Sequence, residues 1–209
     1  MNEFDSIIFD LDGTLWSTID SCVKSISKVK NKYSDIIYDI SVEEVKSSMG
    51  LPFDEIVKKY YGYIEKEKAV KYTKEAFDTN INNLLENGGN LYPKMQDTIK
   101  ELLQSFKLFI VSNCVEAYIE SFLSTSMLNE YFCDYESNGR TKLSKGENIK
   151  LIIERNNLKK SIYVGDTISD KMAAEYAKIP FVYASYGFGN VTEYDYKINH
   201  INDLLTIFD

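Results

Sequence analysis

Histidine is nearly absent from this chain: His200 is the sole one in 209 residues. His-pair catalysis and His-based metal sites are excluded on that ground. Arginine is almost as scarce. Arg140 and Arg155 stand alone among 24 basic residues, so bidentate arginine clamps are poorly supplied. Cys22, Cys114 and Cys133 are odd in number and widely spaced. They match no zinc spacing and no disulfide framework, and they predict a reducing, cytoplasmic setting. No apolar run approaches the ~18 residues of a membrane span. Met1 to Phe4 carries no export pattern, so no membrane partner is expected. Positive charge is in deficit: 24 Lys and Arg against 32 Asp and Glu leave a net charge of −8. That surface repels phosphate backbones and excludes general nucleic-acid binding. The sixteen tyrosines lack the basic surround of a base-stacking platform.

What remains is ordinary globular composition, 44% hydrophobic and 27% charged. One or two domains are expected, with a monomer as the default. Four short apolar runs read as buried strands: Ser6 to Phe9, Leu108 to Val111, Ile162 to Val164 and Phe181 to Ala184. Helical stripes lie between them, over Lys94 to Phe106, Val115 to Met127, Lys145 to Arg155 and Lys171 to Ala177. Strands alternating with helices predict an α/β fold with a doubly wound parallel sheet, Rossmann-like in its core.

One stretch breaks the alternation. From Ser17 to Asn87 there are three or four helical stripes and no strand, and Asn87-Gly88-Gly89-Asn90 then stops the last helix. A single crossover needs far fewer residues. The expectation is a helical cap domain, residues 17–87, inserted into a core of residues 1–16 and 88–209.

Three predicted strands end in polar groups at one edge: Asp10-Leu11-Asp12-Gly13-Thr14, Ser112-Asn113, and Gly165-Asp166 with Asp170. Ligands of open α/β sheets bind at the carboxyl ends of strands, so these groups should converge. Four clustered carboxylates cannot all stay ionised without a cation, and an all-oxygen set suits Mg²⁺. A carboxylate is also a nucleophile toward phosphorus. Ser112 and the Asn113 backbone N–H can hold phosphoryl oxygens. A lysine at a helix start would add positive charge. Ser144 and Glu147 form a capping-box spacing around Lys145, while Lys142 lies nearby as the alternative.

Each piece alone has a plainer reading. Ser112-Asn113 is a turn, Lys145 a solvated lysine, and Asp166 with Asp170 a helix start. A calcium loop beginning at Asp10 would need Gly and Glu where Leu15 and Ser21 stand. Cys114 lacks a base and reads as a structural thiol, and His200 as a surface residue.

Together, Asp10-Leu11-Asp12-Gly13-Thr14-Leu15, Ser112, Lys145 and Gly165-Asp166 with Asp170 resemble the four motifs of the haloacid dehalogenase superfamily, in order and over essentially the whole chain. The insertion is similar to that family's small helical cap. Gly50-Leu51-Pro52-Phe53 resembles its cap loop facing the site, and Tyr186-Gly187-Phe188-Gly189 looks like the phosphoglycolate-phosphatase branch. One departure is Gly146 after Lys145, where the family usually has proline.

The resemblance implies a phosphatase acting on a small phosphorylated metabolite through an aspartyl-phosphate. Asp10 is then the nucleophile and Asp12 the acid and base. Asp10, the Asp12 carbonyl and Asp166 hold Mg²⁺, supported by Asp170, and Ser112, Asn113 and Lys145 hold the phosphoryl group. A phosphosugar mutase fits the same motifs. A phospho-accepting receiver module and a catalytically silent scaffold are alternatives of other classes. For the substrate, Ser47, Ser48, Met49 and Gly50 are candidates to line the cap loop; no carboxylate-binding arginine sits there, and Lys46 is the candidate in its place.

Overall fold

The computed structural model describes residues 4–207. The chain begins with β1 (Ser6–Phe9) and β2 (Trp16–Ser17). Four helices follow: α1 (Ile19–Lys32), α2 (Val42–Lys46), α3 (Phe53–Tyr61) and α4 (Lys66–Asn87). It returns through β3 (Asn90–Leu91) and α5 (Met95–Leu102), then β4 (Lys107–Ser112), α6 (Tyr118–Ser126) and β5 (Asp134–Ser137). Next come α7 (Asn138–Thr141), α8 (Lys145–Arg155), β6 (Ser161–Gly165), α9 (Ile168–Ala177), β7 (Phe181–Ala184) and β8 (Tyr196–Ile198). A 3₁₀ turn at Ile201–Asp203 leads into α10 (Leu204–Ile207).

Six strands form one sheet in the order β5-β4-β1-β6-β7-β8, every neighbouring pair parallel. Crossovers run to both sides of β1, which makes the sheet doubly wound. Alternate residues of the central strands serve opposite faces. Ile7, Phe9, Leu108, Ile110, Ile162 and Val164 enter one apolar cluster, while Ile8, Phe109, Val111 and Tyr163 enter another. Helices cover both faces, so these strands read as continuous apolar runs rather than alternating ones.

The four strands expected from apolar runs are present. The sheet also has two more, and both are edges. Asp-Tyr-Glu-Ser in β5 and Tyr-Lys-Ile in β8 are short and carry charge, as edges with one open side do. The expected helix over Lys94 to Phe106 is confined to α5, and the one over Val115 to Met127 to α6. Lys94 and Ala117 precede them with φ of 64° and 68°, which no helix continues through.

Helices α1, α3 and α4, with Ile36 from the loop after α1, carry their own apolar cluster, including Val29, Val57, Tyr61, Tyr72 and Ala76. Contrary to the strand-free expectation for this stretch, Ser17 belongs to β2. That strand pairs antiparallel with β3 and ties the entry of the helical segment to its exit. Gly88 ends α4 with φ 70°, and its N–H donates to the Leu84 carbonyl at 2.7 Å. A Cβ on Gly89 would sit 2.5 Å from the buried Trp16 ring. Only glycine lets the returning strand lie on that tryptophan.

Candidate active site

Asp10 directly follows β1, Ser112 ends β4 and Asp166 directly follows β6, three adjacent parallel strands. The Asp10 N–H donates to the Val164 carbonyl at 2.8 Å, which holds the end of β1 against β6. The expected convergence at one sheet edge therefore occurs for residues up to 160 positions apart in sequence.

Lys145 stands at the centre. The capping box forms as the spacing predicts: Ser144 Oγ accepts from Glu147 N at 3.3 Å, and the Glu147 carboxylate accepts from Ser144 N at 2.8 Å. That box starts α8 at Lys145, whose ammonium donates to Asp10 Oδ1 at 2.8 Å and to Asp170 Oδ1 at 2.6 Å. All three side chains are at most 3% exposed. Lys142 lies on the surface with its ammonium on the Gly139 carbonyl, so Lys145 is the lysine that reaches the carboxylates.

Asp170 has both oxygens engaged. Besides Lys145, it accepts from Thr167 N at 2.9 Å, Thr167 Oγ1 at 2.6 Å and Asp166 N at 3.2 Å. Tyr163 reaches its Oδ1 at 3.4 Å and donates to the Val111 carbonyl at 2.8 Å. Asp170 thus caps α9 and anchors the lysine.

Asp166 is different. Its Oδ2 accepts from Phe188 N at 2.6 Å, while Oδ1 is buried with no hydrogen-bond partner among the described residues. Gly13, at φ 86°, and Gly187 press on it: a Cβ on either would come within 2.3 Å of an Asp166 side-chain atom. Those two glycines are the physical content of the Asp-Gly-Thr and Tyr-Gly-Phe-Gly motifs.

Asp12 has a different set of partners. Thr18 Oγ1 and Tyr118 OH reach its Oδ1 at 3.0 and 2.9 Å, and the two hydroxyls are 2.7 Å from each other. With Asp12 ionised, two protons serve the three contacts, so one contact lacks a hydrogen. Asp10, Asp12, Ser112 and Asn113 all line a cavity that extends beneath the helical segment. Asn113 spends its side chain on that segment, its Nδ2 donating to the Gly50 carbonyl at 2.9 Å. The 48–51 loop lines the cavity as expected, whereas Lys46 is exposed and neither it nor Ser47 is part of the wall.

Burial governs the electrostatics. It pushes Asp10 up to about 7, against the pull of Lys145 and with the push of Asp170. It pushes Asp12 up to about 6, opposed by the hydroxyls of Tyr118 and Thr18. Burial, Asp170 and Asp10 together hold Asp166 well above its ordinary range. For Lys145, burial works downward, but Asp10 and Asp170 outweigh it and keep the ammonium charged. Cys114 is pushed upward by burial and then by Asp12 and Asp10, the opposite of an activated thiol.

A donor set for a cation is present. Asp10, Asp166 and Asp170 each offer an oxygen, all within 4.8 Å of one another. The unpartnered Asp166 Oδ1 is the atom that such an ion would satisfy, and an all-carboxylate set fits a hard divalent ion.

Sequence reasoning missed Thr18, Tyr118 and Tyr163 as site residues. No spacing marks them, because each reaches the site from a separate helix, strand or loop. The Asp-x-Asp motif followed by an N-cap threonine is the one available signal for Thr18.

Sheet order and site together define an α/β enzyme core whose centre is built from carboxylates and one lysine rather than imidazole. The haloacid dehalogenase-like hydrolase family matches residues 7–184, and the chain belongs to it. It is similar to the phosphoglycolate phosphatase of Escherichia coli (strain K12), 24% identical with 98% of this chain and 94% of that protein covered. The phosphoglycolate phosphatase of Photorhabdus laumondii is 25% identical, covering 88% and 81%. Among solved structures, a predicted phosphoglycolate phosphatase from Haemophilus somnus superposes over 100% of both chains, with a TM-score of 0.87 and 23% identity. CbbY from Rhodobacter sphaeroides, solved with xylulose-1,5-bisphosphate, has a TM-score of 0.80 at 13% identity, covering 99% of both chains as a shared fold. Among the described residues, no helix is long and apolar enough to cross a membrane.

Proposed function

We propose that this protein is a Mg²⁺-dependent phosphatase that hydrolyses a small phosphomonoester through a phosphorylated Asp10. The observation that carries the reading is Lys145 bridging Asp10 and Asp170, next to an Asp166 oxygen left without a partner. Family membership and the likeness to phosphoglycolate phosphatases support it.

Asp10 lines the cavity, and Lys145 occupies only its Oδ1. The remaining oxygen attacks phosphorus in line, and the ester bond to the leaving oxygen breaks. Asp12 gives that oxygen a proton. It then takes one from the water that attacks phosphorus, which releases inorganic phosphate and restores the Asp10 carboxylate. Burial gives Asp12 a working range close to neutral, where one carboxyl can serve in both directions. Ser112, the Asn113 backbone N–H and Lys145 hold the phosphoryl oxygens. Asp10, the Asp12 carbonyl and Asp166 would hold the ion, with Asp170 behind them; bound there, it supplies positive charge against the phosphoryl oxygens.

Residues 17–87 act as the cap over a core formed by 1–16 and 88–209. Closure excludes bulk water and favours a metabolite over a macromolecule.

Phosphate release from a broad phosphomonoester panel, with Mg²⁺ and after chelation, tests the reading. Turnover that is lost in chelator, restored by Mg²⁺ and abolished in Asp10→Asn is expected. Isomer formation without free phosphate would make the protein a mutase. One-for-one labelling without turnover would make it a receiver.

A further inference from the structure

The cavity that begins at Asp10 and Asp12 runs under the helical segment, and its wall chemistry is uneven. Ile26, Met49, Leu51, Phe53, Ile56 and Phe77 form an apolar belt. Among the described residues, no Lys, Arg or His lines the cavity, and the charged side chains in it are Asp10 and Asp12. Lys145, the cation of the site, lies outside this lining, bound to Asp10 and Asp170 at the phosphoryl end.

Two wall residues carry unsatisfied polar atoms. Asn80 is 3% exposed and Tyr61 1%, and Asn80 Oδ1 and the Tyr61 hydroxyl have no hydrogen-bond partner among the described residues. Asn80 Nδ2 is spent on Cys22 Sγ at 3.4 Å, so the amide is oriented with its acceptor left over. Both atoms are sealed in the packing behind the wall, so neither offers a contact to a ligand in the cavity.

We propose that the leaving group accepted here is uncharged with an apolar body, and that carboxylate-bearing phosphomonoesters are excluded. The inference rests on the phosphatase reading and narrows its substrate class. A leaving-group carboxylate would lose its water against an apolar belt with no cation in the wall to pair it, because Lys145 and the ion of the phosphatase reading serve the phosphoryl group. A neutral leaving group loses far less on entering the same belt. The phosphoglycolate in the relatives' names is therefore not the substrate of this chain.

Benzyl phosphate, 4-(hydroxymethyl)benzyl phosphate, 4-carboxybenzyl phosphate and 2-phosphoglycolate, assayed with Mg²⁺ beside p-nitrophenyl phosphate, test the charge rule. Both neutral esters should exceed both carboxylates by at least ~30-fold in kcat/KM, which corresponds to ~2 kcal/mol. Met49→Lys should raise the ratio of 4-carboxybenzyl to benzyl phosphate by at least ~10-fold, the reach of one new charge pair. A carboxylate used as well as its neutral partner, or a ratio unmoved by Met49→Lys, would overturn the inference while leaving the phosphatase reading intact. Release from none of the five would overturn the phosphatase reading and this inference with it.

Discussion

Tyr118 and Asp12 are 106 residues apart in sequence, yet the tyrosine hydroxyl stands 2.9 Å from Asp12 Oδ1. Tyr118 belongs to the first turn of α6, and Thr18, its partner at 2.7 Å, directly precedes α1. One helix of the core and the first helix of the inserted segment thus meet on the carboxyl group assigned to proton transfer.

Tyr118→Phe removes a donor that favours the ionised carboxylate, so the apparent pKa belonging to Asp12 should rise. A loss of roughly 3- to 10-fold in kcat is expected, the weight of a ~1 kcal/mol hydrogen bond. The pH profile of kcat/KM checks it, and a downward shift would contradict the assignment.

Stability should depend on pH in a definite direction. Burial lifts Asp10 from 3.8 to about 7, so the folded state binds this proton more tightly than the unfolded chain does. The metal-free protein should therefore lose stability as pH rises from about 4 through 7. Mg²⁺ should restore it at pH 8, and Asp10→Asn should raise the metal-free Tm there by a few degrees (~2–4 °C per kcal/mol for a chain of this size). Thermal melts with and without Mg²⁺ at pH 5.5 and 8 measure this, and a metal-free Tm that climbs with pH would refute it.

The two lysines near the start of α8 should behave oppositely. Lys145→Met leaves buried carboxylates uncompensated, and activity should fall at least ~100-fold with a stability loss on the order of 3 kcal/mol without metal. Lys142→Ala should change both by little, because its ammonium serves only a surface carbonyl. Equal effects in the two variants would undo the assignment of Lys145.

Thiol modification should follow exposure and acidity. Cys133 is exposed, while burial pushes Cys22 up to about 12 and holds Cys114 above its usual range. Mass spectrometry after a brief alkylation at pH 8 should find Cys133 modified first, with activity retained. Rapid loss of activity through Cys114 would contradict its reading as an inert thiol.

The central architecture was legible in the residues because buried parallel strands must be apolar throughout. Ser6 to Phe9 and Phe181 to Ala184 have the same bounds in the structure as in the sequence reading. Helix α8 was legible to the residue, since Ser144 and Glu147 form a local cap needing no distant partner. Edge strands β5 and β8 were not legible: with one side open, their residues answer to solvent as much as to the sheet. The acidic motifs, with Ser112 and a lysine, were visible as types at spacings, and two parallel neighbours of β1 sufficed to predict their meeting.

What only the tertiary structure decided is which atoms meet. Lys145 rather than Lys142 reaches Asp10, because the turn preceding α8 aims one side chain inward and leaves the other in water. Tyr118 and Thr18 reach Asp12, and Asn80 and Tyr61 enter a wall without cations, through the packing of helices whose local sequences carry no mark of those contacts. Local chemistry is written at spacings of a few residues. The partners of a buried charge are set by how whole elements pack, and that sum of many weak contacts is not readable from any one segment.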